Sequence, residues 1–455
     1  MQTLLRKLPK IDTFVARGAF DGLSSVLLTK ISKEQINFIR QGILDGKIHD
    51  FDISKLIEKV IEIYHTTLSP SLKPLINATG VILHTNMGRS LIDPRILERA
   101  SDVICNYSNL EYKQNTGYRG DRYSHVSKHL CGLLGVEDVL IVNNNASAVF
   151  LILNTLVKDD EVIVSRGELV EIGGSFRIPE VMKQSGAILH EVGATNKTRI
   201  SDYEDAINDK TAMLMKVHRS NFTIEGFSSE TAYTEIKKLA VANNLIDYYD
   251  LGSGYIPTLP YNLGSKELPI SKILESNPDI ISFSGDKLFG SVQAGIIAGK
   301  KKFIDKLKHN QLLRMLRVDK ITLSILEETI RAYLEGDYDL IPTLKMLFTD
   351  INDLKTRAKK MQKAIEDNHS KMKITDIIET STFMGGGTLP NREFPTITLH
   401  IKGKATELEK RFRQKGIIGR IERDMFLIDL RALESKHDNT IVMITREITA
   451  KETRK

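Results

Sequence analysis

The sequence predicts an α/β fold, in which a mostly parallel β-sheet carries helices on both faces. Between residues 138 and 300, short apolar runs that are typical of buried strands alternate with stretches of helical periodicity. Such alternation indicates parallel strands that are joined by crossover helices. With 455 residues, the chain is too long for one ordinary hydrophobic core, so smaller domains are expected beside this sheet.

The smaller domains are predicted at the two ends of the chain. Behind Asp52, apolar residues recur every three or four positions, and a second helix is expected over residues 33–44. Pro70 and Pro74 mark the end of this region. We therefore predict a helical domain over residues 1–72, a central domain over 73–335 and a small α+β domain over 336–455. A long helical stretch at about residues 341–367 is expected to lead into the last of these.

The net charge of +6 is unevenly distributed along the chain. Residues 1–75 carry 11 Lys and Arg against 8 Asp and Glu, a balance of +3, and residues 401–455 carry 14 against 9, a balance of +5. The residues between them therefore have a net charge of −2. Basic ends fit a polyanionic partner such as RNA. Two solvated basic faces are the alternative, and charge alone favours that alternative.

Several classes of protein are excluded by what the sequence lacks. No apolar run is long enough to span a membrane, and the first residues lack the apolar segment of a secretory signal. The two cysteines, Cys105 and Cys131, provide neither a disulfide framework nor the spacing of metal ligands. We expect a cytoplasmic protein that uses no metal.

Lys287 lies between two apolar runs that are predicted to be buried strands. Desolvation lowers the pKa of an amine, which makes a buried lysine a candidate for a Schiff base, typically with pyridoxal phosphate. The alternative is a solvated lysine on a surface loop, which is the usual environment of this residue type. The remaining cofactor contacts decide between the two.

Other polar residues follow the predicted strands at the edge where ligands bind to such sheets. Asp250 ends a strand 37 positions before Lys287 and could keep a pyridine nitrogen protonated. Ser284 could contact the cofactor phosphate, as could a predicted helix N-terminus, where an ordinary asparagine cap is the alternative. The residues of that helix N-terminus are Asn145, Ala146, Ser147 and Ala148. This arrangement predicts a pyridoxal-phosphate enzyme of the aspartate-aminotransferase fold type, fold type I.

Arginines recur in glycine-rich or helical segments outside the predicted strands. Arg89 follows a short apolar segment, Arg119 and Arg122 lie among glycines, and two more arginines, Arg314 and Arg317, are three positions apart. Such side chains bind anions through paired hydrogen bonds. For Arg119 and Arg122, a structural ion pair with Asp121 is the alternative. The spacing of His84, His125, His218 and Arg219 predicts no role for these residues.

Five segments of the chain carry the motifs of one known family. They are residues 76–89, 165–182, 250–255, 283–299 and 316–320, of which 165–182 is the most specific. In these segments the chain resembles the bacterial selenocysteine synthases, the L-seryl-tRNA(Sec) selenium transferases. The resemblance implies a ring-shaped homodecamer, a pentamer of dimers, and a basic helical N-terminal domain that binds tRNA(Sec) charged with serine.

The resemblance also implies a reaction and the residues that carry it. Lys287 would hold pyridoxal phosphate and remove the α-proton of the serine, and Asp286 would order the site or assist proton transfer. Loss of the hydroxyl would give a cofactor-bound aminoacrylyl-tRNA, to which selenium from selenophosphate adds. Four arginines would hold the anionic donor: Arg89, Arg119, Arg314 and Arg317.

Two other functions remain open from the residues alone. A related pyridoxal-phosphate lyase acting on a small amino acid or sugar acid would share the Lys287 centre, but it would not need the basic N-terminal helices. A tRNA-binding protein with an inactive pyridoxal-phosphate fold is disfavoured, because Lys287, Asp250 and the arginines are all present.

Overall fold

The computed structural model describes residues 2–169, 171–172, 176–220, 222, 224, 226–265, 268–367 and 374–450. It divides the chain into two compact units, Met1–Pro74 and Leu75–Lys455. The two units are considered separately below. Within the described ranges, no helix combines the length and the apolar character that crossing a membrane requires.

The first unit is helical. Its α-helices are α1 (Gln2–Leu5), α2 (Ile11–Val15), α3 (Ser25–Leu44) and α4 (Ile53–Leu68). α4 begins where the sequence predicted, because the Asp52 carboxylate accepts a hydrogen bond of 2.7 Å from the Ser54 backbone N–H. α3 begins earlier than predicted, at Ser25. Its apolar face packs on that of α4 in a small core that includes Phe14, Ile31 and Val60.

The second unit contains fifteen strands and fourteen further α-helices within its described residues. The strands are β1 (Ile76–Asn77), β2 (Asp138–Val142), β3 (Glu161–Ser165), β4 (Glu171–Ile172), β5 (Phe176–Arg177), β6 (Ile188–Val192), β7 (Thr211–Val217), β8 (Ile246–Gly252), β9 (Ile280–Ser284), β10 (Gly295–Gly299), β11 (Thr375–Gly385), β12 (Thr388–Ile401), β13 (Ile417–Ile418), β14 (Arg420–Glu422) and β15 (Met425–Asp429). The helices are α5 (Pro94–Cys105), α6 (Ser124–Leu134), α7 (Asn145–Leu156), α8 (Ile178–Ser185), α9 (Ile200–Glu204), α10 (Tyr233–Ala242), α11 (Ile270–Leu274), α12 (Lys301–His309), α13 (Leu313–Leu316), α14 (Lys320–Glu335), α15 (Pro342–Phe348), α16 (Ile351–Glu366), α17 (Ala405–Gln414) and α18 (Asp438–Ala450).

The larger sheet has seven strands in the order β2-β10-β9-β8-β7-β3-β6 among the described residues. β10 is antiparallel to both of its neighbours, and the other neighbouring pairs are parallel. β2, β9 and β10 are buried along their whole length, as expected for strands that helices cover on both faces. The predicted α/β fold with a mostly parallel sheet is therefore confirmed.

The smaller sheet is antiparallel, with the order β11-β12-β15-β14. β1 pairs in parallel with β13, so the first residues of this unit contact its C-terminal part. The stretch predicted to be helical over residues 341–367 is helical, but it is not one continuous helix. The chain forms α15 and α16 instead, because Asp350 caps a new helix by accepting a hydrogen bond of 2.7 Å from the Asn352 backbone N–H. β11 was not predicted from the sequence, and the predicted domain boundary near residue 335 stays a prediction.

Candidate active site

Lys287 lies in the connection between β9 and β10, inside the protein. The residue is only 6% exposed to solvent. The connection is tight at Gly285, where an added Cβ would lie 2.7 Å from the Val292 carbonyl oxygen, and at Gly290, whose φ is +74°. The Leu288 backbone N–H donates to Ser253 Oγ at 3.4 Å, which joins the connection to the segment after β8. The alternative of a solvated surface lysine is therefore wrong.

Asp250 lies on the neighbouring strand β8 and is 4% exposed. Its Oδ1 accepts hydrogen bonds from Asn145 Nδ2 at 2.7 Å and from the Gly252 backbone N–H at 3.0 Å. Burial raises the pKa of Asp250, and these two hydrogen bonds and the positive charges of Lys287 and His218 act in the opposite direction. The lysine and the aspartate are thus close enough to interact electrostatically.

One buried polar atom beside Asp250 lacks a partner. Asn145 Oδ1 is buried and has no hydrogen-bond partner within the described residues, although its Nδ2 is bound to Asp250. Buried polar atoms are normally paired, so this exception fits a bound group that donates to it. A buried lysine and a buried carboxylate fit the amine-linked carbon and the ring nitrogen of pyridoxal phosphate. His84 Nδ1 is also buried without a partner among the described residues.

The N-terminus of α7 opens into a cavity of about 390 Å³. Asn144 caps the helix by accepting a hydrogen bond of 2.9 Å from the Ser147 backbone N–H, so the predicted asparagine cap is present. Ala146 and Ser147 line the cavity together with Arg177 and Leu316. The asparagine cap does not exclude an anion at the same helix end, because the remaining free N–H groups and the helix dipole attract negative charge, and the phosphate contact here stays a prediction.

Ala148, by contrast, is buried in the hydrophobic core of the central sheet. Ser284 ends β9, lies opposite Gly295 on β10 and is 7% exposed. The side chain of Asn145 contacts Asp250 rather than the cavity at the helix end. Of the four predicted helix residues, Ala146 and Ser147 are therefore the two that line this cavity.

Asp286 and Arg89 form an ion pair with each other. Arg89 Nη1 donates to Asp286 Oδ2 at 2.7 Å, and the side chain of Asp286 is largely buried whereas that of Arg89 is partly exposed. The following residue, Ser90, donates to the Asp286 and Ser291 carbonyl oxygens from its N–H and Oγ. Arg89 thus ties the segment after β1 to the connection that carries Lys287.

A second cavity of about 390 Å³ is lined by four arginines, Arg119, Arg122, Arg314 and Arg317. Three of them surround the carboxylate of Glu111. Arg119 and Arg122 donate to it at 2.8 Å, and Arg317 Nη1 lies 3.8 Å from its Oε1. These arginines hold the pKa of Glu111 below its usual range, mainly through the Arg122 hydrogen bond and against the effect of burial.

The local backbone explains why Glu111 is the shared partner. Residues 111–120 form a small hairpin that is closed by hydrogen bonds from the Gly120 N–H to the Glu111 carbonyl oxygen and from the Lys113 N–H to the Tyr118 carbonyl oxygen, both 2.9 Å. The predicted alternative of ion pairs with Asp121 is therefore wrong. Asp121 accepts a hydrogen bond from the Tyr123 N–H at the start of α6 instead.

Backbone contacts connect the arginine cavity to the N-terminus of α7. The Asn143 N–H donates to the Leu316 carbonyl oxygen at 2.9 Å, and Val142 forms a β-bridge with Arg317. Leu316 lines the cavity at α7, whereas Arg317 lines the arginine cavity. The structure thus brings together three of the four arginines that were predicted to bind the donor, and Arg89 lies with Asp286 instead.

The structure also identifies contacts that the sequence did not predict. Glu111 has no motif or spacing that would have revealed its role, and Asn145, which was predicted at the cofactor phosphate, contacts Asp250 instead. His218 lies beside Asp250, whose carbonyl oxygen accepts its backbone N–H at 2.8 Å. His125 contacts the Asn109 and Leu110 carbonyl oxygens instead of the residues around Lys287.

Comparison with known proteins gives consistent matches. A family model described as L-seryl-tRNA selenium transferase matches residues 75–434. The L-seryl-tRNA(Sec) selenium transferase of Sulfurimonas denitrificans is 54% identical over 98% of this chain and 99% of its own length. The protein of the same description from Aliarcobacter butzleri is 56% identical over 95% of each chain.

Among solved structures, a D-glucosaminate-6-phosphate ammonia-lyase has the same fold. It is 20% identical, has a TM-score of 0.59, and the match covers 85% of this chain and 97% of the lyase. The prediction of a fold-type I architecture is confirmed. At this level of identity, the similarity concerns the fold alone.

Proposed function

The chain belongs to the L-seryl-tRNA selenium transferase family, and from this premise we propose how its residues replace the serine hydroxyl with selenium. Membership confirms the activity predicted from the sequence, L-seryl-tRNA(Sec) selenium transfer with pyridoxal phosphate as the cofactor. The observation that carries the residue assignment is the buried Lys287 close to the buried Asp250. The residue roles, the selenium donor, the assembly and the location given below are proposals.

Three groups of residues hold the cofactor in this proposal. Lys287 would bind it through its amine, Asp250 would accept a hydrogen bond from its ring nitrogen, and Ser284 and the N-terminus of α7 would hold its phosphate. The Asn145 amide orients the Asp250 carboxylate through the 2.7 Å hydrogen bond. When bound, pyridoxal phosphate delocalises the negative charge that develops at the serine α-carbon.

Lys287 also moves the proton at the serine α-carbon. A base for this step must lie within hydrogen-bond reach of that proton and must be held in a fixed position. The glycines and the Leu288–Ser253 hydrogen bond hold the connection that carries the lysine. Asp286, paired with Arg89, orders the same connection from its other side.

The arginine cavity binds selenophosphate, the selenium donor in this proposal. Arg119, Arg314 and Arg317 provide guanidinium groups at one cavity, and guanidinium groups pair with phosphate-like oxygens in a two-point geometry. Arg89 contributes indirectly, by ordering Asp286. The backbone contact between Leu316 and Asn143 keeps the donor next to the cofactor phosphate.

The helical unit of residues 1–74 binds the tRNA, and the protein acts in the cytoplasm as a homodecamer. The excess of positive charge in this region and its separate core support this assignment. A protein that lacks residues 1–74 should keep bound cofactor but lose tRNA affinity. Unchanged tRNA affinity would contradict the assignment.

The alternative of a lyase for a small amino acid or sugar acid has only the shared fold in its favour, at 20% identity. Incubation of the purified protein with seryl-tRNA(Sec) and selenophosphate separates the two functions. We expect selenocysteinyl-tRNA, detected by mass spectrometry of the aminoacylated tRNA. A lyase would form none.

A further inference from the structure

A cavity of about 270 Å³ lies beside the candidate active site and has no role in the reaction described above. One part of its wall follows β7, and the other belongs to the β-hairpin of β11 and β12. Its lining combines apolar side chains with two arginines, a histidine and a glutamate: Phe222, Pro390, Arg219, Arg392, His218 and Glu230. Such a mixture is typical of sites for organic ligands that carry a few polar groups.

This cavity adjoins the lysine centre, the buried group formed by Lys287 and Asp250. His218, which lines it, donates its backbone N–H to the Asp250 carbonyl oxygen at 2.8 Å. Leu263 and Leu389, which also line it, belong to the same apolar cluster as Leu288, the residue after Lys287. A ligand in the cavity would therefore lie close to a group that reacts at Lys287.

The two arginines of the cavity differ in their partners, since Arg219 is paired with Glu230, which also lines the cavity, and Arg392 is not. Arg219 Nη2 donates to Glu230 at 3.0 Å, and Glu230 is itself half exposed. Arg392 Nη2 is buried and has no hydrogen-bond partner within the described residues. A buried guanidinium N–H without a partner costs free energy unless a ligand accepts it, so it points to a ligand.

We propose that this cavity binds the terminal nucleotide of the aminoacylated tRNA. The inference rests on the proposed function, because the substrate of the family is an amino acid esterified to a tRNA. The ester joins the serine directly to the ribose of the terminal adenosine, so the nucleotide must lie within a few bond lengths of the reacting carbon. The base contacts Phe222 and Pro390, and Arg392 binds the phosphate.

Three other cavities among the described residues are less suited to a nucleotide. The arginine cavity is lined mainly by charged and polar side chains around Glu111, which suits a small inorganic anion. The cavity at α7 lies at a helix N-terminus and is assigned to the cofactor phosphate. A further cavity shares Leu389 and Pro390 with the one at Arg392, but its lining contains Glu393 and no cation. Of these four, the cavity at Arg392 is the one that joins an apolar surface for a base to arginines for a phosphate without a role already assigned.

The test uses two inhibitors of the holoenzyme that differ in the nucleotide. One is 3′-deoxy-3′-(L-serylamino)adenosine 5′-phosphate, in which an amide replaces the reactive ester, and the other is L-serinamide. Arg392→Met should raise the half-inhibitory concentration of the nucleotide by about 10-fold, the loss expected for a hydrogen bond to a charged group. It should leave inhibition by L-serinamide unchanged.

Two further variants control the experiment. Pro390→Asp places a negative charge in the cavity and should weaken inhibition by the nucleotide selectively. Arg413→Met removes an arginine that is exposed on α17 and paired with Glu409, and it should change neither inhibitor. Bound cofactor reports that each variant is folded, and Pro390→Asp provides the test if Arg392→Met does not fold.

The possible outcomes distinguish the inference from the proposed function. In the first outcome, the wild type makes selenocysteinyl-tRNA, but the Arg392 and Pro390 variants weaken inhibition by both compounds equally or by neither. The nucleotide site is then wrong and the proposed function stands. If the wild type makes no selenocysteinyl-tRNA, the function fails and this inference fails with it. Selective loss of the nucleotide in both variants supports the site.

Discussion

The lysine centre and the arginine cavity hold their charges in opposite ways. Lys287 and Asp250 are 6% and 4% exposed, and strand ends and backbone contacts fix their positions. In the arginine cavity, the side chain of Arg119 is 73% exposed and that of Arg317 is 31% exposed, and one carboxylate, Glu111, holds them together. Burial strengthens the electrostatic interactions of a single charge and shifts the pKa of its group. Solvated charges each contribute little binding free energy and are effective only when several of them act together.

The largest effect is expected from Lys287→Ala. In the proposed mechanism this amine holds the cofactor and removes the α-proton, so selenocysteinyl-tRNA formation should fall by at least about 100-fold, the lower range for general acid–base catalysis. The visible absorbance of the bound cofactor should disappear with it. Conversion of seryl-tRNA and an absorbance spectrum of each purified variant provide the two measurements.

A matched control is Lys272→Ala, which removes an exposed lysine that pairs with Glu275 on α11. It should keep both activity and absorbance. An unchanged spectrum in Lys287→Ala would show that this lysine does not hold the cofactor. The role proposed for the lysine centre would then be wrong.

Asp250→Asn should have the next largest effect. The amide has nearly the same shape and can still accept hydrogen bonds from Asn145 and Gly252, but it cannot balance a positive charge on the ring nitrogen. Activity should fall by about 100-fold, as when one preorganised electrostatic contact is removed. Steady-state rates with seryl-tRNA and selenophosphate measure this, and the thermal midpoint reports that the fold is kept.

Asp102→Asn, which changes an exposed residue on α5, is the corresponding control and should be fully active. Nearly normal activity of Asp250→Asn would mean that burial of this carboxylate serves the fold rather than the cofactor.

The two regions also differ in how much the sequence predicted. Asp250 and Lys287 were predicted to lie at the cofactor site because of their positions relative to buried strands. Asp250 is near the end of one strand, Lys287 lies between two others, and strand ends meet at one edge of a sheet. The pair of Arg89 and Asp286 joins positions that are 197 residues apart, and such a contact leaves no local pattern. Glu111 was missed although it is near Arg119 in sequence, because the hairpin that brings them together is too short to show alternation.

The same distinction applies to the fold. The strands of the larger sheet could be predicted between residues 138 and 300, because apolar runs identify buried strands. β11 was missed, since its residues alternate between buried and exposed positions in an irregular way and include many polar side chains. The break between α15 and α16 depends on a single capping residue, Asp350.

Arg317→Met should have a smaller and more selective effect than either change at the lysine centre. Loss of one charge-assisted hydrogen bond should raise the KM for selenophosphate by about 10-fold. The rate at which the serine hydroxyl is lost without the donor should stay normal, because this step occurs at Lys287. Arg119→Met should change the KM less, since this side chain is the more exposed of the two.

Arg331→Met changes an arginine on α14 that pairs with Glu328, away from the cavity lining, and serves as the control. Equal slowing of hydroxyl loss and selenium addition in Arg317→Met would show that the arginine acts on the lysine centre, and the two regions would then not be separable.

The smallest effect is expected from Glu111→Gln, measured as stability against pH. The arginines hold the pKa of Glu111 below its usual value in the folded protein. The ionised carboxylate therefore stabilises the fold above the ordinary glutamate pKa of about 4.3, and this contribution is lost as the pH falls through the lower folded-state value. Because the pairs are partly solvated, the loss in the variant at pH 7 should be no more than about 1 kcal/mol.

Urea denaturation of the wild type and Glu111→Gln at pH 7 and at pH 3.5 tests both the size of the stability difference and the direction in which it changes with pH. The difference in the free energy of unfolding should be largest at pH 7 and should shrink at the lower pH, where the wild-type carboxylate begins to gain a proton. High salt should reduce it at pH 7, because exposed ion pairs are screened. A difference that is independent of both pH and salt would mean that Glu111 acts through packing, and the arginine cavity would then resemble the lysine centre more closely than its exposure indicates.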